Sequence, residues 1–292
     1  MERTLHEMAA YHEITCKSAL NQLKRKIPYG WDLNLYRGCQ HSCQYCYAMY
    51  SHQYLDGSFA KDIYIKTNVV EQLERELSAP GWKREVVNIG GVTDSYQPAE
   101  EQYRLMPEIL KLLIRYKTPA IISTKSVLAL RDFDLIDELS RITYINIAAT
   151  VTTMDEAVRK LVEPGAAESR KRFAMLKEFR KTNASVGLHM MPIIPYVTDQ
   201  FENLDGLLSA AKDSGVHYVL PGVLYLRGTT RNCFFSFVHE KMPEQEAVLR
   251  TLFKTGGAGK EYKDGLYRII NALRKKYALS SGYMQVMRDK QK

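Results

Sequence analysis

Six short runs rich in β-branched and aromatic residues recur along the chain, each followed by a segment whose apolar residues fall at helical spacing. The runs are DLNLY (32–36), EVVNIG (85–90), PAIIST (119–124), TYINIAATV (143–151), ASVGLHMMPII (184–194) and VHYVLPGVLYL (216–226). In the helical segments, Val69, Val70, Leu73 and Leu77 share one face. So do Leu105, Ile109, Leu112 and Leu113, then Phe173, Leu176 and Phe179, then Leu204, Leu207, Leu208 and Ala211. Strand and helix in alternation build a parallel sheet flanked by helices. The expected fold is therefore α/β, a complete or partial (β/α) barrel whose chemistry sits at the carboxyl ends of its strands. GLYRIINALRKKYAL (265–279) reads as a late helix and the last dozen residues as a polar tail. With no internal repeat and no clear linker, the organisation is one core at 29–230, an N-terminal extension at 1–28 and a helical C-terminal extension at 231–292.

The first run leads directly into YRGCQHSCQYCYAMY (36–50), where Cys39, Cys43 and Cys46 form a C-x3-C-x2-C pattern. No signal-peptide core and no apolar stretch near the roughly 18 residues of a membrane span is present, so a cytoplasmic protein without a membrane partner is expected. In that reducing compartment five cysteines are not a disulfide framework. Clustered thiols there point to metal binding or catalysis. Three thiolates on one loop can ligate three irons of a 4Fe-4S cluster and leave the fourth iron open. The alternatives are zinc completed by His41 or a distant residue, and reduced cysteines without a special role. Structural zinc sites pair two C-x2-C units, or one with two histidines, and neither second half is present.

The pattern is similar to the C-x3-C-x-aromatic-C signature of the radical S-adenosylmethionine superfamily, matched by Cys39, Cys43, Tyr45 and Cys46. The resemblance implies a partial (β/α)6 TIM-like barrel. It also implies a 4Fe-4S cluster whose open iron binds S-adenosylmethionine, and reductive cleavage to a 5′-deoxyadenosyl radical that removes hydrogen from a substrate. A reductant such as flavodoxin or ferredoxin is implied as partner. In NIGGVTDSYQPAE (88–100), Gly90 and Gly91 take the place of the superfamily's glycine-rich methionine-binding motif. Ser123 and Lys125, with Thr124 between them, end the third run; Thr150 and Thr152 end the fourth, where members place polar groups near ribose or carboxylate. Ile194, with Ile193, is placed to pack on adenine, and Tyr45 to lie on the adenine side.

KSALN (17–21), LNLYRGCQHSCQYCYA (33–48) and TDSYQPAE (93–100) resemble the branch that contains spore photoproduct lyase. That resemblance implies a DNA lesion as substrate, which the balance of 41 Lys and Arg against 33 Asp and Glu would suit. Basic runs such as KRK (24–26), ESRKRF (168–173) and LRKKY (273–277) are equally ordinary solvated helix faces. The chain also departs from the branch: where the lyase has a hydrogen-donating cysteine, Gly90, Gly91 and Val92 stand. Cys233 and Tyr96 are then the candidate catalytic residues, with Cys16 the other spare thiol. Asp94 reads as a turn or capping residue, and Glu163 and Arg170 as loop charges within reach of a ligand. KTGGAGKEY (254–262) fails the phosphate-loop pattern, since Glu261 follows the lysine. The same radical chemistry on a peptide, RNA or small metabolite, and a non-catalytic iron-sulfur or zinc protein, are the competing functions.

Overall fold

Residues 9–24, 27–282 and 289 are described by the computed structural model. The chain begins with β1 (Ala10–Ile14), β2 (Leu20–Gln22), β3 (Trp31–Leu33), β4 (Tyr36–Arg37) and β5 (Asp62–Lys66). It continues with α1 (Val69–Leu77), β6 (Val87–Ile89), α2 (Ala99–Tyr103), α3 (Leu105–Arg115), β7 (Ala120–Thr124), α4 (Phe133–Ile142) and β8 (Ile145–Thr150). Then follow α5 (Glu156–Val162), α6 (Ser169–Phe179), β9 (Ser185–Ile193), α7 (Phe201–Asp213), β10 (Tyr218–Val223), α8 (Gly228–Lys241), α9 (Pro243–Leu252) and α10 (Lys260–Lys276).

The main sheet runs β10-β9-β8-β7-β6-β3-β2. The pairs from β3 to β10 are all parallel, and β2 closes one edge antiparallel to β3. Spatial order follows chain order from β3 onward, as it must when each strand is returned by a helix laid on one face. Since β10 and β2 do not pair, the result is a six-stranded partial (β/α) barrel with an open seam. Every residue of β8 is buried, the mark of a central strand covered on both faces. The helical faces read from the sequence bury as expected: Val69, Leu73 and Leu77, then Ile109, Leu112 and Leu113, then Phe173, Leu176 and Phe179, then Leu204, Leu207, Leu208 and Ala211. Val70 and Leu105 are only half-buried.

One strand differs from expectation. DLNLY does not run straight: β3 ends at Leu33, and β4 leaves the main sheet to pair antiparallel with β5, which also pairs parallel with β1. The bend falls at Asn34, a buried side chain whose Oδ1 accepts the Val92 amide at 2.9 Å and so spends the segment's polar group on β6's exit loop instead of on a ladder. The cysteine loop is thus launched from the small sheet. α10 begins five residues before the late helix read from the sequence and buries Leu266, Ile270 and Leu273, with Lys276 and Tyr277 both reaching Asp205 on α7 at 2.8 Å. α8 and α9 gather Phe234, Phe235, Phe237, Leu249 and Phe253 into a second core that includes Cys43 and Tyr45. The expected polar tail lies almost wholly outside the described residues, as do Arg25 and Lys26 of the first basic run and residues 1–8. Among the described residues no helix is long and apolar enough to cross a membrane.

Truncating a fully buried leucine of the helical layer tests this packing. Leu207→Ala on α7 is expected to lower unfolding stability by about 2–5 kcal/mol through lost burial and a residual cavity, read as a drop in the urea midpoint with little change in slope.

Candidate functional site

Cys39 and Cys43 are buried and Cys46 half-buried on the loop that follows β4. All three line one cavity of about 480 Å³ at the carboxyl ends of β6 to β9. Gly90, Gly91, Ser123, Lys125 and Thr150 line the same cavity, so eight of the residues expected from the sequence meet there. Gly90 sits at φ +86°, a left-handed conformation that glycine adopts without strain, and this lets the chain turn sharply off β6. Burial pushes all three thiols up from the usual cysteine range, Cys43 to about 12. Thiols held this way are neutral until a cation draws off their protons, which couples metal uptake to deprotonation.

His41, weighed as a fourth ligand, is otherwise engaged. Its Nδ1 lies 3.0 Å from the Gly165 carbonyl oxygen and its Nε2 2.9 Å from Asp94 Oδ2, with the ring buried. Neither nitrogen faces the thiols. Among the described residues no three His, Cys, Asp or Glu side chains converge as a single-metal site would require. A cubane instead takes its thiolates at three separate irons. The donor set therefore fits a cluster with one open position.

Asp94 ties the site together. Besides His41, its carboxylate accepts the Thr124 hydroxyl at 2.8 and 3.0 Å, the Lys125 amide at 2.8 Å and the Tyr96 amide at 2.9 Å. Of the turn or capping role read from the sequence, the turn is present through the Tyr96 amide, and the carboxylate reaches on to the end of β7. Burial alone would raise this carboxyl, but His41 and the donated amides outweigh it and lower it to about 2 from an ordinary 3.8.

A second set of charges lies behind the loop. Glu163 is wholly buried and pairs at 3.0 Å with Arg172, equally buried. It accepts the Thr152 hydroxyl at 3.0 Å and the Tyr45 hydroxyl. Glu163 is thus no exposed loop charge, and its partner is Arg172 rather than Arg170, which is exposed. At Gly165 a Cβ would stand 2.2 Å from the Gln40 carbonyl oxygen, so only glycine lets this segment lie against the cysteine loop.

The remaining expected residues are placed differently. Tyr45 lines a neighbouring cavity of about 830 Å³ that shares Cys43, Cys46, Tyr47, Lys125 and Met191 with the first. Ile194 packs in the core beside Tyr45 and Cys43. Tyr96 is buried in the main core and Cys233 is exposed on α8; neither lines either cavity. Tyr96 follows the Asp94 turn inward, and Cys233 lies one turn beyond Thr230, the α8 residue whose hydroxyl bonds the Cys46 carbonyl at 2.9 Å. Cys16 has both backbone groups bonded to the Asn68 side chain, on the far side of β5. The sequence reading missed His189, which lines the first cavity with Nδ1 3.3 Å from Ser123 Oγ and Nε2 3.1 Å from the Tyr218 hydroxyl. It also missed Gln97, which accepts the Gln40 amide at 3.0 Å and donates to the Gly38 carbonyl at 3.2 Å. Gln97 lies inside the TDSYQPAE motif, so a signal was available; His189 sat unmarked within an apolar strand.

The profile of the Radical SAM superfamily matches residues 33–208, the stretch that carries the cysteine loop and strands β4 to β9. The chain belongs to the radical SAM superfamily. It is 35% identical over 280 residues to an uncharacterized protein of Mycobacterium tuberculosis, covering 94% of this chain and 82% of the relative. An uncharacterized protein of Methanocaldococcus jannaschii is 26% identical over 266 residues, with 90% and 93% covered. Among solved structures, spore photoproduct lyase complexed with dinucleoside spore photoproduct superposes with a TM-score of 0.68 at 11% identity, covering 91% of this chain and 79% of that one. This last likeness is one of fold. Membership of the radical SAM superfamily marks the chain as an enzyme and implies the 4Fe-4S cluster and S-adenosylmethionine.

Because the folded carboxyl of Asp94 titrates below its unfolded value, its contribution is complete above about pH 4 and is lost as pH falls toward 2. Asp94→Asn is expected to cost about 2 kcal/mol at pH 7. The variant's stability curve should also lack the wild-type fall between about pH 4 and 2, measured by urea unfolding across that range.

Proposed function

We propose that the protein holds a 4Fe-4S cluster on Cys39, Cys43 and Cys46 and uses it with S-adenosylmethionine to abstract hydrogen from a nucleic-acid substrate, a damaged DNA base being the reading favoured. The observation that carries the cofactor assignment is the shared cavity: three thiols, a glycine pair at the exit of β6 and the Lys125 side chain face one space, while both ring nitrogens of His41, which also borders it, are taken by Gly165 and Asp94. When bound, the cluster and S-adenosylmethionine supply one-electron cleavage of the sulfonium bond and hydrogen abstraction. The protein's part is to position, to exclude water and to tune the electron.

Gly90 and Gly91 let the backbone come close to the methionine amino group, and Lys125 offers its ammonium to the carboxylate. Ser123 and Thr150 present hydroxyls to the ribose. Tyr45, with Val223 and Leu224, walls the neighbouring cavity on the side where adenine would lie, and Ile194 backs that wall. Supporting a nucleic-acid substrate, the chain carries a net charge of +8. The second cavity has Tyr47, Tyr50 and Tyr225 exposed around it, with Arg227 and without a carboxylate. Tyrosine faces beside cations suit stacked bases and their phosphates. Against direct transfer of the lyase reaction, Gly90, Gly91 and Val92 leave no thiol at the end of β6. A flavodoxin- or ferredoxin-type reductant would supply the electron.

Two measurements test this reading. Anaerobically reconstituted and reduced protein should form 5′-deoxyadenosine from S-adenosylmethionine, and Cys43→Ala should lose both the brown colour and the product; cleavage retained in that variant contradicts the ligand assignment. DNA binding should weaken steeply with salt, by about tenfold or more between 50 and 200 mM for several phosphate contacts. Affinity indifferent to salt points instead to a peptide or small-metabolite substrate.

A further inference from the structure

The segment 162–167 grips the cysteine loop from the side away from the cavity. The Gln44 amide donates to the Val162 carbonyl at 3.0 Å, the Gly165 amide to the His41 carbonyl at 3.0 Å, and the Tyr45 hydroxyl to Glu163. These bonds fix the backbone on both flanks of Cys43. Glu163 is the unusual member, since a buried carboxylate is costly to desolvate and a neutral amide would accept the Tyr45 and Thr152 hydroxyls equally well. What the amide would lack is charge. Arg172 is paired with this carboxylate at 3.0 Å, and Lys125, which lines the cavity and whose Nζ lies 5.6 Å from the centre of the Tyr45 ring, is the second cation beside the loop.

We propose that Glu163 is a positioning residue for the iron-sulfur cluster: through the Tyr45 hydroxyl it fixes the Cys43–Cys46 turn, and through its charge it sets how readily the cluster is reduced. The inference rests on the cluster assignment made above. Reduction adds one electron from a flavodoxin- or ferredoxin-type donor and forms no bond, so the cluster gains one negative charge. A carboxylate close by disfavours that gain and the flanking cations favour it. Glu163 offsets the cations and keeps the reduced cluster a strong reductant, which a demanding one-electron cleavage needs.

The test uses the full chain reconstituted without oxygen, with iron and sulfide counted and the midpoint potential taken from a redox titration followed by electron paramagnetic resonance. Glu163→Gln keeps the acceptor and removes the charge; its potential should move positive of wild type. Adding Arg172→Met removes the cation left unpaired and should return the potential toward the wild-type value. In the metal-free protein, Tyr45→Phe should speed amide hydrogen exchange at Gln44 and Cys46 by about tenfold or more, since a hydrogen bond to a charged acceptor is lost. A fully loaded Glu163→Gln protein with an unmoved potential overturns the charge role, as does a double variant that stays with the single one. Unchanged exchange in Tyr45→Phe overturns the positioning role, and that variant decides the matter alone if Glu163→Gln does not fold. A wild-type chain that takes up no cluster would instead defeat the underlying assignment, so the two failures are told apart.

Discussion

A loop of eight residues that must hold three thiols around a cofactor has little regular structure of its own to resist collapse or fraying. Asp94 supplies much of what is missing. Its two oxygens collect donors from the β7 exit, from its own turn and from His41 in the cysteine loop, so one carboxylate joins the mouths of β6 and β7 to the loop that follows β4. These are charge-assisted hydrogen bonds in a buried setting, the strongest kind available to side chains without a metal. With His41 committed to Asp94 and Gly165, the three thiols are what the cysteine and histidine side chains of this loop still offer the cavity. The bond to Asp94 thus also takes one imidazole nitrogen out of the ligand set.

Two buried carboxylates flank the loop, and they differ in kind. Asp94 is satisfied by dipoles and an imidazole and sits on the glycine side. Glu163 is satisfied by a full cation and two hydroxyls and sits behind Tyr45. An ion pair with both side chains unexposed is weak support for stability, because desolvating two charges offsets most of their attraction. Its presence next to Cys43 is better explained by what a fixed charge does there than by the energy it adds to the fold. The close approach at Gly165 serves the same end, since any side chain would lift the segment off the loop.

The strands and helices of the barrel were legible because each buries one continuous apolar face, and periodicity reports burial directly. The residues at the strand ends were legible for a related reason: once strands are placed, Gly90, Ser123, Lys125 and Thr150 follow from where each run stops. What the sequence hid were contacts between segments far apart. Glu163 meets Tyr45 across 118 positions and His41 meets Gly165 across 124. No local pattern encodes such pairs, and a loop glutamate has no periodicity to betray that it is buried. The short strands β1 and β5 were missed because charged and apolar residues mingle in them, although the alternation of Ile63 and Ile65 in DIYIK was a usable signal. Cys233 was drawn in by residue type, and Tyr96 by its place just after the glycine pair; the fold turns Tyr96 inward and Cys233 out to solvent.

The two cavities also differ in electrostatic character. The first cavity is lined by neutral polar groups, Asn88, Ser123 and His189 among them, and by the charged Lys125 and Asp94. Burial pushes His189 down to about 4, with Lys125 adding to the effect, so the imidazole is uncharged at neutral pH. Lys125 places one cation in that lining, enough to pair a single carboxylate, while any further anion brought in would lose its water unpaired, which is costly. An uncharged ring with hydrogen-bonding edges would keep its partners. Around the second cavity Arg227 adds a further cation beside the exposed Tyr47, Tyr50 and Tyr225. The charge layout therefore gives the first cavity one buried cation among neutral polar groups and gives the second a cation at its exposed rim.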